Sequence, residues 1–405
     1  MKLESVKYRF VFLLKYSLLI ALVSILSGTA SAFFLFSLDW ATNWRENHLW
    51  IVWFLPISGF IVGLVYHYFG DNAERGNNLL IENVQEAKEP ITWRMAPLVY
   101  LGTIATHLFG GSAGREGTAL QMAGSMADQL SKPFNLSAEQ RKTLLIAAIA
   151  AGFGSVFGTP LAGAVFALEV CIVGNIRYQS VFAAFFAAIG ADMVTKLWGT
   201  PHTHYSVAEV PNITFAFFTY SLATGAVFGL AAIVFAESMH RLSNFYKIYI
   251  KWPPLRPFLG GIMVVALFWL VGTSKYLGLG IPTIVTSFAE LLPAYDFLLK
   301  IIFTVLTVSA GLKGGEVTPL FFIGATLGNA LAYFVPLPLG LLSGMGFVAV
   351  FAAATNTPIA CTIMAVELLG VECGVYAAIA CLVAYYVSGS STIYSAQLKP
   401  IRKNE

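Results

Sequence analysis

Gly114-Arg-Glu-Gly-Thr-Ala-Leu120 and Gly314-Gly-Glu-Val-Thr-Pro-Leu320 are two similar stretches that lie 200 residues apart in the chain. A longer pair, residues 150–169 and 348–367, matches at an offset of 198, with a Thr-Pro pair and a closing glutamate in register. The glycine-rich break Gly76-Asn-Asn-Leu-Leu80 has a loose partner in Gly278-Leu-Gly-Ile-Pro282. The same interruptions therefore recur in the same order in two halves of the chain.

Long stretches almost without charge surround these breaks. The 405 residues are 57% hydrophobic and 11% charged, whereas soluble domains carry about 25% charged residues. One helical crossing of a bilayer needs about 20 apolar residues. The composition therefore predicts an all-α polytopic membrane protein, and the net charge of +3 is too small to indicate a nucleic-acid partner. The charge-poor stretches that we predict to cross the membrane are 10–38, 49–68, 213–236, 257–273 and 347–388.

Both ends of the chain are basic. Because Lys and Arg near membrane spans favour the cytoplasmic side, we expect both termini in the cytoplasm. The apolar run 10–38 is longer than a signal-peptide core, which predicts a retained first helix. We expect a single transport domain over 1–405, with an N-terminal helix (1–45), repeat half one (about 50–200), repeat half two (about 213–390) and no C-terminal soluble domain. The basic residues are Lys2, Lys7, Arg9 and Lys15 at one end and Lys399, Arg402 and Lys403 at the other.

The breaks have a direct physical meaning. A helix that starts inside a membrane leaves backbone N–H groups that the protein or a cavity ligand must satisfy. Such a helix start also carries partial positive charge, so it suits an anion. The sequence predicts helices that start at Asn77, Glu116 and Glu316 and converge near the membrane midplane, as in transporters built from repeats. Close helix packing is the alternative explanation for the glycines, but it does not explain a carboxylate at two of the breaks.

These motifs resemble those of the CLC family of chloride channels and transporters. The resemblance covers about residues 10–397 and implies the CLC fold, with two repeated halves that are expected to be inverted, broken half-helices and a homodimer. Four elements carry it: Gly114-Arg115-Glu116-Gly117 resembles GREGP, Gly315-Glu316-Val317-Thr318-Pro319 resembles GxFxP, Gly76-Asn77-Asn78-Leu79-Leu80 falls at GSGIP, and Tyr394 matches an isolated tyrosine near the end of the membrane domain.

At several positions where the sequence differs from the chloride relatives, it resembles the CLC-F subfamily of fluoride/proton antiporters. Asn77 stands where the chloride relatives have serine, and Glu316 precedes Val317, which replaces a phenylalanine. Val170 takes the place of the inward-facing glutamate of the proton-coupled chloride transporters. The resemblance implies fluoride export in exchange for protons. A chloride/proton antiporter or a chloride channel on the same fold remains the alternative.

Two acidic residues are the candidates for gating and proton transfer. An acid inside a membrane is costly and marks a functional site. The Glu116 carboxylate at a helix start can occupy an anion position, and protonation lets it swing away; the alternative is a glutamate that merely caps its own helix. Because Val170 has no acid, Glu316 is the second candidate for handling protons. Its alternative is a solvated carboxylate in a vestibule wall.

Fluoride needs compact hydrogen-bond donors, because dehydrating it is costly. Asn77, Thr318 and Tyr394 supply amide and hydroxyl donors. The resemblance implies anion binding mainly through backbone N–H and hydroxyl groups, and a structural role for the charged Arg115. We expect anion contacts from Gly76, Asn77, Asn78, Val317, Thr318 and Tyr394, and structural roles for Gly114, Arg115, Gly117, Gly315 and Pro319.

A remote alternative is an intramembrane hydrolase. Gly110-Gly-Ser112-Ala-Gly114 fits the GxSxG pattern, but that pattern needs a strand–turn–helix context and a positioned histidine and acid. We expect no enzyme activity, no cofactor and no metal; a polar loop explains the loosely metal-like spacing of His202 and His204. The predicted partners are fluoride and protons as transported ions, membrane lipid and a second copy of the chain.

Overall fold

The protein is all-α in the computed structural model, which describes residues 2–174 and 176–398, with side chains from Lys15 onward. Lys399, Arg402 and Lys403, on which the predicted placement of the C-terminus rests, lie outside the described residues. The side chains of Lys2, Lys7 and Arg9 lie outside them too.

Eight α-helices precede the loop 198–214. Local signals set their ends: Ser137 forms a capping box with Gln140 at the start of the sixth, and Gly158, with a φ of 73°, ends it. Pro160 then opens the seventh. The helices are α1 (Lys2–Asn47), α2 (Leu55–Phe69), α3 (Asn77–Gln85), α4 (Met95–Leu108), α5 (Glu116–Gln129), α6 (Ala138–Phe157), α7 (Pro160–Glu169) and α8 (Val181–Leu197), with 3-10 helices at Leu49–Phe54, Asp71–Arg75 and Tyr178–Ser180.

Eight further α-helices follow that loop within the described residues. The charge-poor run 347–388 is not one span, because Asn356 with its φ of 56° ends one helix and Pro358 starts the next. The helices are α9 (Phe215–Tyr249), α10 (Leu255–Val271), α11 (Ile281–Ser287), α12 (Asp296–Ser309), α13 (Val317–Leu331), α14 (Leu339–Thr355), α15 (Pro358–Leu369) and α16 (Gly374–Ser388), with a 3-10 helix at Val371–Cys373.

The longest helices and some of the shorter ones differ in how far they are buried. Among the described residues, five helical stretches are long and apolar enough to cross a membrane: Lys15–Asn47, Leu49–Phe69, Tyr178–Leu197, Phe215–Tyr249 and Val371–Ser388. The helices α13 and α14 are buried along almost their whole length. Large apolar side chains such as Trp53 and Trp269 are exposed on the outer helices, as expected where lipid is the solvent. The helices are those of a multi-pass membrane protein.

The helices α7 and α15, which close the matching stretches of the repeat, run antiparallel and cap one another. The Glu169 carboxylate at the end of α7 accepts two backbone N–H bonds, of 3.1 and 2.9 Å, from the start of α15. Glu367 near the end of α15 accepts two bonds, of 3.0 and 2.8 Å, from the start of α7. This reciprocity is what an approximate twofold axis between the two helices would produce, as expected for an inverted repeat.

Candidate functional site

The two acidic breaks meet inside the protein. Gly114 and Gly315 exchange backbone hydrogen bonds, with N···O distances of 2.5 and 2.8 Å, just before α5 and α13 begin. The start of α3 lies at the same point, since a β-carbon built on Gly117 would lie 2.8 Å from Asn77 Nδ2 and 3.2 Å from Gly315 Cα. The structure therefore brings together the three helix starts that the sequence placed at its breaks.

The Glu116 carboxylate rests on the start of α13. Its side chain is 0% exposed, and its Oε2 accepts hydrogen bonds from Thr318 N at 3.0 Å and Arg115 N at 3.2 Å. The Thr318 hydroxyl lies 2.7 Å from both carboxylate oxygens. Glu116 thus does more than cap its own helix: it occupies the anion-attracting start of a helix from the other half.

Glycine and proline at this junction permit a close approach of the two backbones. A β-carbon on Gly114 would lie 3.0 Å from Glu116 Oε2 and 3.0 Å from Pro319 Cδ, and one on Gly315 would lie 2.8 Å from Gly117 N. A larger residue at either glycine would push the two helix starts apart. These positions have the surroundings expected of structural residues.

Arg115 flanks the carboxylate. Its Nε lies 3.5 Å from Glu116 Oε1, and that buried nitrogen has no hydrogen-bond partner in the described part of the chain. The side chain does not line the cavity described next.

A cavity of about 350 Å³ leads to this junction from the side that carries the C-terminal segment. Glu316 lines it and is half-buried. The Glu316 carboxylate accepts a hydrogen bond from its own backbone N–H. The cavity lining also includes Tyr66, Glu74, Arg75, Gly76, Asn77, Asn78, Gln121, His240, Lys247, Arg256, Lys313, Gly314 and Tyr394.

Two polar groups at the inner end of the cavity are buried without a partner. Asn77 Oδ1 and the Tyr394 hydroxyl form no hydrogen bond within residues 2–174 and 176–398. Buried polar groups in proteins almost always form hydrogen bonds, so two neighbouring groups without a partner indicate a bound ligand or water. The Tyr394 O–H is a donor, and a turn of the Asn77 amide presents an N–H at the same position. The pair therefore suits an anion.

The remaining predicted anion contacts also lie at helix starts. Gly76, with a φ of 55°, immediately precedes α3, and Val317 is buried in the first turn of α13. Asn78 lines the cavity, but its Oδ1 accepts a hydrogen bond of 3.0 Å from Ala396 N. Its side-chain oxygen therefore fastens the segment that carries Tyr394 to α3.

The wall beside Tyr394 is apolar around Val170. Val170 is 2% exposed and shares this wall with Phe166 and Leu120. The neighbouring Glu169 is occupied in capping α15. The wall formed around Val170 therefore presents no acidic side chain to Tyr394.

The surroundings of Ser112 do not fit a hydrolase. Its hydroxyl lies 3.0 Å from Thr304 Oγ1, and its backbone N–H donates to the Thr307 hydroxyl at 3.0 Å. The ring of His107 instead contacts the Thr103 and Ala113 carbonyl oxygens, at 2.8 and 3.0 Å. Ser112 holds the loop before Glu116 in place and has no histidine as a base.

Lys313 and Gln121 also line the cavity, and our sequence interpretation omitted both. A signal for Lys313 exists, since a lone cation inside an apolar segment is costly and marks function. No comparable signal exists for Gln121. Its position on α5 faces the cavity only because α3 starts beside it, which the sequence does not reveal.

An inverted-repeat membrane transporter of small anions is the class that this fold and this site define. The sequence profile of the voltage-gated chloride channel family matches residues 58–389. The chain belongs to this family, whose transport proteins are not enzymes. The family assignment confirms the predicted CLC fold.

Individual relatives are similar to this protein over most of its length. It is 51% identical to a "Chloride/fluoride channel protein" of Pseudomonas syringae pv. tomato over 95% of this chain and 87% of the relative. It is 25% identical to the "H(+)/Cl(-) exchange transporter ClcA" of Salmonella arizonae, over 87% and 80% of the two chains. A solved "CLC-type fluoride/proton antiporter" is 35% identical, with a TM-score of 0.93 over 96% of this chain and 98% of that one.

Proposed function

We propose that the protein is a fluoride/proton antiporter in which Glu116 is the gate. The observation that carries the proposal is the Glu116 carboxylate seated on the start of α13, with the N–H and hydroxyl of Thr318 as donors. A dehydrated anion would need the same donors. The names of the relatives, a chloride/fluoride channel protein at 51% identity and a fluoride/proton antiporter at 35%, support this direction.

Exchange follows from competition for one position. While charged, the Glu116 carboxylate fills the anion position and blocks passage. When it is protonated it no longer carries the charge that the α13 start attracts, so it leaves and fluoride enters from the cavity past Asn77 and Tyr394. Fluoride and the charged carboxylate exclude one another, so each passage of fluoride accompanies a protonation of the gate.

Protons reach the gate through the same cavity in our proposal. Glu316 lines that cavity, next to the turn that bonds to Gly114. The wall at Val170 is apolar, so a proton path there lacks a carboxylic acid. Glu316 exchanges protons with water in the cavity and passes them toward Glu116.

The proposed setting is the bacterial cytoplasmic membrane with both termini in the cytoplasm. The cavity then opens to the cytoplasm, since Ser395 of the C-terminal segment lies at its wall. Its lining contains Arg75, Lys247 and Arg256, in agreement with the excess of cations on cytoplasmic surfaces. Fluoride export is therefore the direction in which a proton gradient drives the exchange.

The proposed assembly is a homodimer with one pathway in each subunit. Asn77, Glu116, Thr318 and Tyr394 all belong to one chain, so a subunit contains a complete site. Exposed apolar residues on α8, such as Phe182 and Phe186, offer surface for such an interface.

The test is transport in liposomes that contain the purified protein. An outward fluoride gradient should drive proton uptake, read by a fluoride electrode together with a pH electrode. An equal chloride gradient should drive much less. If chloride moves protons as well as fluoride does, the protein is a chloride/proton antiporter; if either halide moves without protons, it is a channel. Glu116→Gln in the same liposomes is the matched control for coupling.

A further inference from the structure

We propose that Lys313 forms an anion-capture site in the cavity wall, where a hydrated halide binds before it reaches Asn77 and Tyr394. This inference rests on the proposed function, because it concerns how the halide approaches the gate. It assigns a role to a residue that the transport cycle above does not use.

The Lys313 side chain lies between Gly102 and the ring of Tyr66. Its aliphatic stem crosses Gly102 of α4, where a β-carbon would lie 2.9 Å from Lys313 Cγ. Its ammonium group lies 3.8 Å from the centre of the Tyr66 ring, and Tyr66 is 3% exposed. The face of an aromatic ring attracts a cation, which holds the ammonium group in a fixed position. Glycine on one side and an aromatic ring on the other thus place this charge in the cavity wall.

Among the described residues, Lys313 has no ion-pair partner in direct contact. Arg75, in the same cavity lining, pairs with Glu82 and Glu89. Within the residues that the structure describes, Lys313 forms no such pair, although Glu74 attracts it without a direct contact. The Lys313 ammonium group therefore has no carboxylate bound directly to it. A hydrated anion is the ligand that such a charge attracts.

Lys313 lies where its positive charge can act on an anion that approaches the gate. It directly precedes the turn Gly314–Gly315 that bonds to Gly114, and it shares the cavity with Glu316. The Glu316 carboxylate in the same lining repels an incoming anion while it is charged. A cation in the same wall offsets this repulsion and raises the local halide concentration. Lys313 thus allows an acidic proton path and an anion path to share one cavity.

The experiment measures initial fluoride efflux from liposomes against internal fluoride, at low and high ionic strength set by an impermeant salt. Lys313→Met should raise the half-saturating fluoride concentration on the order of fivefold to tenfold, with maximal rate within about twofold of the parent. The salt dependence of the parent should be largely lost, and Lys313→Arg should keep parental behaviour. Lys247→Met removes one charge from an exposed residue of the same cavity lining and should change half-saturation by less than about twofold, because solvent screens exposed charges.

An unchanged half-saturation in Lys313→Met, or a fall in maximal rate alone, overturns the capture site. Tyr66→Leu is the second variant: it removes the ring under the ammonium but keeps the charge, so it should raise half-saturation by a smaller factor. If Lys313→Met does not fold, no rise in Tyr66→Leu overturns the proposal. Should the parent transport chloride instead of fluoride, the proposed function fails, and the same variants test the capture site with chloride.

Discussion

Glu116 and Glu316 stand at equivalent positions of the two halves, 200 residues apart, and their surroundings are opposite. Glu116 is 0% exposed and is held by Thr318. Glu316 is half-buried in the cavity wall. The equivalent of Thr318 in the first half is Thr118, whose hydroxyl lies 2.7 Å from the Thr103 hydroxyl. The threonine of the first half, Thr118, therefore contacts α4. The threonine of the second half, Thr318, binds the Glu116 carboxylate.

The comparison teaches that the repeat duplicates backbone geometry but not side-chain roles. Both breaks open a helix and expose N–H donors at the same place. Which carboxylate becomes the gate depends on the neighbours of the following threonine. In our interpretation the first acid competes with the anion, and the second exchanges protons with water.

The largest expected effect comes from removing the acid of the first break. In Glu116→Gln the side chain stays close in size but carries no charge, so it can neither compete with the anion nor carry a proton. We expect proton movement driven by fluoride to fall below detection, measured with a pH electrode on liposomes. Proton pumping at the parental rate in this variant would remove the basis of the proposed function.

Removing the acid of the second break sharpens the comparison. Glu316→Gln should slow coupled proton uptake by about a hundredfold, since a positioned proton-transfer group contributes at least about that factor. The half-saturating fluoride concentration should stay within about twofold of the parent, because Glu316 does not occupy the anion position. Glu74→Gln, an acid in the same cavity lining, is the control. Unaltered proton uptake would mean that Glu316 only lines a solvated wall.

The two threonines offer a matched pair. Thr318→Val removes the hydroxyl donor that faces the gate, and a hydrogen bond to a charged group is worth about 1.5–3 kcal/mol. We therefore expect the half-saturating fluoride concentration to rise about tenfold, since about 1.4 kcal/mol corresponds to that factor.

Thr118→Val is the control for that substitution, and it should shift fluoride half-saturation by less than about twofold, because its hydroxyl contacts Thr103. Thr318→Ser should keep parental values. Equal effects of the two valine variants would contradict the asymmetry between the breaks.

The smallest effect concerns the pair of caps that the two halves exchange. Glu169→Ala and Glu367→Ala each remove an acceptor of two backbone N–H bonds, at a cost of about 1 kcal/mol each. Thermal unfolding in detergent should show similar losses for the two variants. Glu372→Ala, an exposed residue, should change stability by less than about 0.5 kcal/mol. A loss in only one of the capping variants would argue against their equivalence.

The sequence predicts the fold well because the breaks depend on backbone chemistry. Gly76 and Gly114 stand just before helices whose starts, at Asn77 and Glu116, match the predicted positions. The third helix starts at Val317, one residue after the prediction. Glycine and proline act locally, so their effect on helix ends is visible in the sequence.

Side-chain contacts between the halves could not be predicted in the same way. That Glu116 reaches Thr318, while Thr118 turns to Thr103, depends on the packing of α4 and α13. The position of the Lys313 ammonium group likewise depends on its contact with the Tyr66 ring. Residues so distant in sequence carry no local pattern that links them.

The paired hydrogen bonds between Gly114 and Gly315 limit how this protein can move. They join the starts of α5 and α13, one from each half of the chain, through the backbone. A rocking motion of one half against the other would break them and leave buried N–H and C=O groups unpaired, which costs several kcal/mol in a membrane. Rotation of the Glu116 side chain, the motion that we propose for the gate, leaves both backbone bonds intact, so we expect turnover without movement of whole domains.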